Sequence, residues 1–368
     1  MAPSWRPPDE EQALGLGFYA SPTPGVGGLL KVRPESFRVT EVSRYPLPDP
    51  QGNFTVLRIV SRNWEQHELS LRIAQRLGLP PHALAWAGTK DRRAVAERLA
   101  SYRGRPPFGG LGLPGVDLVE AYTAREGLAL GHHYGNGFAI RLAGIDPESA
   151  APVLSTTRDA LREFGGVPNF FGPQRFGEVR PITHRVGRAL VHGDVAGAVD
   201  LYLTERTGPP DERGAAARAA YAASHDAQAA LREFPPEYKF ERILLDHLAR
   251  GHPPDRALRG LSRELRTLFV HAYQSLLFNR YLTERWQRGL SFVVPAPGDH
   301  LLRVARDGTV PGREPVPVDA DNLPEASDTV ARGRAVLAGP LVGADTPELS
   351  GVPGEILRGI LDAEGIDR

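Results

Sequence analysis

The apolar residues of this 368-residue chain follow one pattern before residue 165 and another after it. Up to that point, short apolar or alternating runs bounded by Gly, Pro and Asp predict strands, for example at 55–60 and 137–142. Beyond it, longer stretches rich in Ala, Leu and Arg predict helices. These stretches are 184–203, 211–233, 238–250 and 257–289. The change predicts an α+β chain, with a strand-rich unit first and a mostly helical module after it.

Three local patterns add detail to the first half of the chain. Residues 1–28 are rich in Pro and Gly and are predicted to form a loose leader. Asn63 is predicted to cap a helix that ends at Gly78. The apolar run 83–88 is predicted to be a strand that leads directly into the polar turn 89–91.

Composition and spacing remove several classes of function. The chain has no cysteine, which excludes a disulfide scaffold, a thiolate nucleophile and Cys-based zinc or iron–sulfur sites. It has neither an apolar run of about 18 residues nor a signal-peptide core, so we expect a cytoplasmic protein that does not contact membranes. His67 lacks the second histidine of a zincin motif, and the adjacent His132 and His133 would point to opposite faces of a strand. We therefore expect no metal site.

The charged residues are balanced in number but clustered in position. The formal net charge is zero, so bulk charge does not indicate a nucleic-acid partner. Cations gather in 90–105 and 175–188, which favours either solvated faces or a groove for a polyanion. The chain has three lysines (Lys31, Lys90 and Lys239) against 41 arginines. Genomic base composition is the usual reason for such a bias, but arginine cannot replace a compact ammonium, so Lys31 and Lys90 are candidate site residues.

Four segments combine polar and aromatic residues where a simple scaffold does not need them. They are 87–94, 135–138, 167–177 and 271–279. In the first, Asp91 is flanked by Lys90, Arg92 and Arg93. That arrangement favours either a salt-bridged turn or a carboxylate that nearby positive charge keeps ionised as a nucleophile. Taken singly, 135–138 is compatible with a hairpin turn and 271–279 with core packing, whereas 167–177 is too polar for a core strand and too aromatic for an ordinary loop.

Together these segments resemble the TruD-type tRNA pseudouridine synthases. Five motifs of that family occur in the family's order between residue 29 and about residue 343. They are Pro34-Glu35-x-Phe37-x-Val39-x-Glu41, Gly88-x-Lys90-Asp91-x-x-Ala94, Asn136-x-Phe138, the segment from Pro168 to Gly177, and the segment from Ala272 to Asn279. One such motif is weak evidence, but five in the same order are specific.

The resemblance implies a domain organisation. It implies an α+β, pseudouridine-synthase-like catalytic domain with a mixed or antiparallel β-sheet, interrupted by a largely helical inserted TRUD domain. Residues 1–28 would be the leader and 29–164 the first part of the catalytic domain. Residues 165–340 would be the inserted domain, and 341–368 a shortened return to the catalytic domain.

The end of the chain departs from the family pattern. Family members continue with an Arg-rich stretch and a final strand pair that contains Leu-Pro-x-Gly-x-Tyr-Ala-Thr. This sequence ends at Ile366-Asp367-Arg368 without that pattern. We expect either a truncated sequence or a member that lacks the closing strands of the catalytic sheet.

The resemblance also implies a reaction and its residues. Members isomerise uridine to pseudouridine in tRNA, at position 13 in bacteria, without a cofactor, and Asp91 would be the nucleophile. The implied substrate-binding residues are Lys31, Phe37, Glu41, Lys90, Asn136 and Phe138, and the implied RNA-binding residues are Arg92, Arg93 and Arg175. Phe138 would stack on a flipped-out base, and Asn136 would orient Asp91. The expected partner is tRNA, and no obligate protein partner is evident.

Two other functions remain open at this stage. One is an RNA-binding or RNA-folding protein of the same fold that has lost turnover because the C-terminal segment is missing. The other is a glycoside or nucleoside hydrolase built on Asp91. Hydrolysis is less favoured because it needs a second carboxylate, and none is evident close to Asp91 in the sequence.

Overall fold

The computed structural model describes residues 6–43, 46–107, 109–177, 179–207, 212–305, 310 and 314–366. The chain divides into two compact units. Pro24–Ser155 form the first, here called the sheet unit, and Met1–Thr23 with Thr156–Arg368 form the second, here called the helical unit. The boundary after Ser155 therefore falls within the helix Pro147–Phe164, and residues 341–368 belong to the helical unit. The four-part domain organisation inferred from the sequence stays a prediction.

The described residues contain helices in both units and two sheets. The helices are α1 (Asp9–Ala13), α2 (Gln66–Arg76), α3 (Pro147–Phe164), α4 (Thr183–Val191), α5 (Val195–Thr204), α6 (Glu212–Ser224), α7 (Ala227–Glu233), α8 (Lys239–Ala249), α9 (Pro254–Arg259), α10 (Arg263–Gln287), α11 (Leu323–Ala331) and α12 (Gly351–Glu364). The strands are β1 (Phe37–Val42), β2 (Phe54–Arg62), β3 (Ala85–Trp86), β4 (Val95–Arg103), β5 (Val116–Ala124), β6 (Gly135–Ile140), β7 (His300–Arg303), β8 (Val316–Pro317) and β9 (Ala335–Ala338). The α+β prediction is confirmed.

The sheet unit is built on one mixed sheet. Its strand order is β5-β2-β4-β1-β6, and β3 pairs with β4. β1 runs parallel to β4, whereas its pairing with β6 is antiparallel. On the β1–β6 ladder, Val39 lies opposite Phe138 and Glu41 lies opposite Asn136. Because cross-strand partners share a face of the sheet, this register gathers the family-motif residues of both strands on one face.

Two local predictions in this unit are wrong. The N-cap of α2 is Glu65, whose side chain accepts a hydrogen bond from the backbone N–H of Glu68. Asn63 instead adopts a left-handed conformation with φ 56°, and its N–H donates to the carbonyl of Ala94. The apolar run 83–88 forms only the two-residue strand β3, because the carbonyl of Ala87 accepts from Gly131 N–H rather than from β4.

The predicted helix over 184–203 is divided into α4 and α5. Gly193 takes φ 76°, a left-handed conformation that ends α4. Asp194 then caps α5 by accepting from the N–H of Gly197 at 2.8 Å. The predicted helix over 257–289 likewise resolves into the end of α9 and the whole of α10.

The described part of the predicted leader includes a packed segment at Leu14–Phe18. Leu14 and Phe18 are buried, and the Phe18 ring stacks on Trp286 with 4.6 Å between the centroids. The Asn279 amide, fully buried on α10, donates to the carbonyls of Leu14 and Phe171 and accepts from Phe171 N–H, each at 2.9 Å. One satisfied amide therefore ties two loops to the longest helix of the described residues.

A small second sheet was not predicted from the sequence. Its order is β8-β7-β9, and its strands lie between His300 and Ala338. Residues 306–309 and 311–313 within this range lie outside the described residues. The buried ion pair between Arg285 of α10 and Asp299 attaches this region to the helices.

The C-terminal helix is held by a buried carboxylate. Glu364 of α12 accepts hydrogen bonds from Tyr273 Oη at 2.7 Å and from Arg188 Nε at 2.6 Å, and it also pairs with Arg280. Burial alone raises the pKa of Glu364, but these three hydrogen bonds outweigh burial and lower the pKa from 4.5 to about 2. The carboxylate therefore stabilises the fold above its ordinary pKa, and that contribution is lost as the pH falls towards 2.

We expect Glu364→Gln to reduce the acid sensitivity of the fold. Between pH 7 and pH 3.5, the parent protein should lose about 1 kcal/mol more unfolding free energy than the variant. At pH 3.5 this carboxylate takes up a proton when the parent unfolds, whereas the glutamine variant has no such group. Urea unfolding at both pH values measures the difference. Glu355→Gln, at an exposed position of the same helix, is the control. Equal acid sensitivity of parent and Glu364→Gln would contradict the assignment.

Candidate active site

Asp91 lies in the loop between β3 and β4 and is exposed. Its Oδ2 atom is 3.1 Å from Nζ of Lys31, and 46% of the Asp91 side chain is accessible to solvent. The sequence predicted that Lys90, Arg92 and Arg93 would supply the neighbouring positive charge. The cation that contacts the carboxylate is Lys31, sixty residues away in the chain, so the partner was a candidate but the pairing was not predicted.

The Lys31 segment is held in an unusual conformation. Lys31 takes φ 53°, the left-handed region that residues other than glycine seldom adopt. Its ammonium lies 4.4 Å from the centre of the Phe37 ring, within the range of a cation–π contact. Nη2 of Arg93 donates to the carbonyl of Val32 at 2.7 Å, so the loop that carries Asp91 is tied to the segment that carries Lys31. These two contacts and the ion pair with Asp91 hold the Lys31 segment beside the Asp91 loop.

Lys90 points away from Asp91 and pairs with Glu41 on β1. Nζ of Lys90 donates to Oε2 of Glu41 at 3.0 Å, and only 3% and 1% of the two side chains are exposed. A buried ion pair of this kind is costly to break, because removal of either partner leaves an uncompensated charge. The pair fixes the loop immediately before Asp91 to the sheet.

Arg98 is a second buried cation near Glu41 that was not predicted as a site residue from the sequence. It is 1% exposed, stacks on Trp86 at 4.7 Å, and donates to Oε1 of Gln66 at 2.5 Å. Burial lowers the pKa of Arg98 to about 10, against the opposing effect of the Glu41 and Glu65 carboxylates. Its isolated position in a strand offers no sequence signal, since only the β1–β4 register brings it close to Glu41.

Phe138 on β6 presents an aromatic face to solvent. It is 61% exposed, whereas Phe37 on the neighbouring strand is 9% exposed. The two rings meet edge to face, with 6.0 Å between the centroids and 63° between the planes. A large exposed ring backed by a buried one is a platform on which a planar ligand can stack.

Asn136 contacts His133, a residue that the sequence brought up only as a metal ligand to be excluded. Nδ2 of Asn136 lies 3.5 Å from Nε2 of His133. Oδ1 of Asn136, Nδ1 of His133 and Oε1 of Glu41 are buried, and none of them has a hydrogen-bond partner among the described residues. These three polar atoms lie close together in the sheet unit, next to the residues that surround Asp91.

The structure brings most of the predicted site residues together in the sheet unit. A chain of contacts or cross-strand pairs links Lys31, Phe37, Glu41, Lys90, Asp91, Asn136 and Phe138. Arg92 and Arg93 are exposed on the Asp91 loop. Arg175 belongs to the helical unit, where its guanidinium is half-buried, donates to Ser275 Oγ at 3.1 Å and lies 5.4 Å from the Phe171 ring centre.

The described residues hold no group of three or more His, Asp or Glu side chains with the arrangement of a metal site. No helix within the same ranges combines the length and apolar character needed to cross a bilayer.

Comparisons with known proteins show the family to which the chain belongs. The model of the family "tRNA pseudouridine synthase D (TruD)" matches residues 13–368. A Halobacterium salinarum protein named "Probable tRNA pseudouridine synthase D" is 36% identical over 97% of this chain and 85% of its own length. A protein of the same name from Thermococcus sibiricus is 36% identical over 98% of this chain and 86% of its own length.

A solved structure is also similar. The crystal structure of a Methanosarcina mazei protein, described as a tRNA pseudouridine synthase D, matches with a TM-score of 0.84 and 30% identity. The match covers 98% of this chain and 83% of that one. This chain belongs to the tRNA pseudouridine synthase D family, and the resemblance inferred from its five motifs is confirmed.

We expect the Lys90–Glu41 pair to be worth far more to stability than the exposed Lys31–Asp91 pair. Glu41→Gln should lower the unfolding free energy by about 3 kcal/mol, because it leaves Lys90 buried without a counter-charge. Lys31→Met should cost less than about 1 kcal/mol, since its partner is solvated. Denaturant unfolding at pH 7 measures both.

The double variant Glu41→Gln/Lys90→Met tests the cause of that loss. It removes both charges and should recover at least about 1 kcal/mol relative to Glu41→Gln alone. A double variant no more stable than the single one would show that the two side chains contribute independently.

Proposed function

We propose that the chain isomerises uridine to pseudouridine in tRNA with Asp91 as the nucleophile. The observation that carries the proposal is the exposed Asp91 carboxylate, held 3.1 Å from the Lys31 ammonium in a member of the tRNA pseudouridine synthase D family. The ion pair holds the carboxylate in one direction beside a cation, and a nucleophilic carboxylate has to be positioned in this way. Modification at position 13 of tRNA and a cytoplasmic location are part of the same proposal.

The proposed reaction balances without a co-reactant. The glycosidic bond between N1 and C1′ breaks while the nucleophile is engaged, the uracil turns, and a new bond joins C5 to C1′. The proton lost from C5 is matched by one gained at N1, so the product is an isomer of the substrate. Water has to be kept away while the base is detached, because hydrolysis would release it.

The base has to leave its stack in folded RNA before it can react, and an aromatic platform offsets part of the free-energy cost of that step. Flipping a nucleotide out of a stack costs a few kcal/mol. Stacking on an aromatic side chain returns about 1–3 kcal/mol per base. Phe138 is the candidate because its ring is 61% exposed and is backed by Phe37, which also holds the Lys31 ammonium.

The buried residues of the site act by positioning in this proposal. Lys90 and Glu41 are almost completely inaccessible, so their contribution is to anchor the Asp91 loop. Asn136 is assigned to the substrate in this proposal, since it lies two residues from Phe138 on the same strand and the same face of the sheet. Hydrolysis by paired carboxylates gains no support, because Glu41 is buried and bound to Lys90.

The RNA contacts are assigned to arginines outside this cluster. Arg92 and Arg93 are exposed beside Asp91 and are suited to phosphate contact. Arg175 is included as well, although its contacts with Ser275 and Phe171 also give it a part in packing.

We expect Asp91→Asn to abolish pseudouridine formation and leave tRNA binding nearly unchanged. The amide is nearly isosteric with the carboxylate but cannot act as the nucleophile, so turnover should fall by about 10³-fold or more. Carbodiimide mapping of an unmodified tRNA transcript measures turnover, and a filter-binding titration measures affinity. Asp117→Asn, at an exposed aspartate of β5, is the matched control. Turnover within about tenfold of the parent would remove Asp91 from the mechanism.

We expect Arg92→Ala to weaken tRNA binding in a salt-dependent way. Each phosphate contact releases counterions, so the slope of log affinity against log salt should decrease by about 1 in the variant. Titrations between low and moderate salt measure the slope. Arg250→Ala in α8's C-terminal turn, whose side chain pairs with Asp246, is the control. An unchanged slope would exclude Arg92 from phosphate contact.

A further inference from the structure

The two edges of the sheet in the sheet unit are built differently. β6 lies at one edge, with β1 on one side of it and no strand of the described residues on the other, and β5 lies at the opposite edge. An edge strand keeps N–H and C=O groups free on its outer side, so proteins usually protect it with charges, bulges or a covering segment. β5 follows this rule: it carries Asp117 and Glu120, and its pairing with β2 shifts register between Arg58 and Ile59.

The β6 edge is apolar and regular. None of the six residues of β6 is charged, and its register with β1 has no shift. Phe138 and Ile140 are 61% and 47% exposed, and Leu142, just beyond the strand, is 41% exposed. The pairing continues past the strand, since the N–H of Arg141 donates to the carbonyl of Ser36. Because side chains alternate along extended backbone, Phe138, Ile140 and Leu142 form one exposed apolar row, here called the β6 strip.

The exposed charges beside the β6 strip are positive. Arg141 is the only Asp, Glu, Lys or Arg in the segment 127–145, and it is exposed. On the neighbouring strand β1, Arg38 is exposed, whereas the Glu41 carboxylate is buried against Lys90. The charged residues of β5, by contrast, are both acids. Of the two edges of this sheet, the β6 edge is therefore the one that suits a polyanion.

The spacing of the β6 strip favours separated bases over stacked ones. Alternate side chains on a strand are about 6.8 Å apart, which is twice the rise per residue. Stacked bases of one strand repeat every about 3.4 Å, so bases that each lie on one of these side chains have to be unstacked. Single-stranded RNA with splayed bases meets this condition, and a duplex does not.

We propose that the β6 strip binds the unpaired nucleotides next to the target uridine, with bases against Ile140 and Leu142 and phosphates attracted by Arg38 and Arg141. The inference rests on the proposed function, because Phe138 is taken to hold the target base. The competing occupant of such an edge is an added protein strand. RNA is favoured because the exposed charges are cationic and the strip continues directly from the base platform.

Substitutions at position 140 test the β6 strip by affinity for an unmodified tRNA transcript. Ile140→Glu places an acid where a base should lie, and we expect Kd to rise about tenfold. Ile140→Phe keeps the apolar contact and adds a stacking ring, so its Kd should be equal to or lower than that of the parent. Val119→Glu, at a 57% exposed apolar position of β5, is the matched control and should stay within about twofold. Equal losses for Ile140→Glu and Val119→Glu would overturn the proposal.

A photocrosslinker locates the RNA independently of affinity. With p-benzoylphenylalanine in place of Ile140, irradiation should link the protein to nucleotides that neighbour the modified uridine, and reverse-transcription stops identify them. Carbodiimide mapping of the same transcript identifies the modified uridine itself. The same amino acid in place of Val119 should give no link in that region. This apolar replacement at a half-exposed position carries the test if Ile140→Glu does not fold.

The remaining outcomes separate this inference from its competitor and from the proposed function. Light scattering of the RNA-free protein reports its oligomeric state. A parent dimer that Ile140→Glu dissociates would assign the β6 edge to a second copy of the chain and overturn the RNA proposal. A parent protein that forms no pseudouridine would defeat the proposed function. An active parent whose crosslinks from position 140 lie away from the modified uridine would defeat only the inference about the β6 strip.

Discussion

The buried ion pair between Lys90 and Glu41 is the interaction on which the candidate site depends. Moving two charges out of water costs several kcal/mol each, and a pair survives this only when the geometry is good. Here the two atoms are 3.0 Å apart, and Arg98 adds a second buried cation close to Glu41. Because Lys90 is committed to the sheet, the next residue, Asp91, lies at the surface, where Lys31 meets it.

Two of the three lysines of the chain thus have different tasks within one site. Lys90 is a buried anchor, whereas Lys31 is a half-exposed cation that contacts a carboxylate and an aromatic ring. A compact ammonium suits both positions, since a planar guanidinium would need more room and more acceptors. In a chain with 41 arginines, this requirement explains why lysine is retained at these positions.

The sequence was sufficient for the fold class, for most strands and for the set of residues near Asp91, but not for their pairings. Residue type and motif order indicated Lys31, Glu41, Lys90 and Asn136 as members of one site. Which cation meets which carboxylate depends on the β1–β4 and β1–β6 registers, and no local pattern encodes a register between distant strands. For the same reason, the contact between His133 and Asn136 of β6 was not predicted. His132 and His133 were expected to point to opposite faces of a strand, whereas both lie in the loop before β6. Helix boundaries failed where a single glycine, such as Gly193, decided the conformation.

The buried polar side chains of the two units serve different purposes. In the helical unit, the oxygens of Asn279 and Glu364 accept from a backbone N–H, a tyrosine hydroxyl and arginines, so these groups stabilise the packing that surrounds them. In the sheet unit, Glu41 is almost inaccessible and bound to Lys90, so its part in the proposed function is to support the Asp91 loop. Asn136 lies opposite Glu41 and two residues from Phe138 on β6. The buried carboxylate and the amide therefore occupy one cross-strand pair, in which the first supports the loop of the proposed nucleophile and the second is assigned to the substrate.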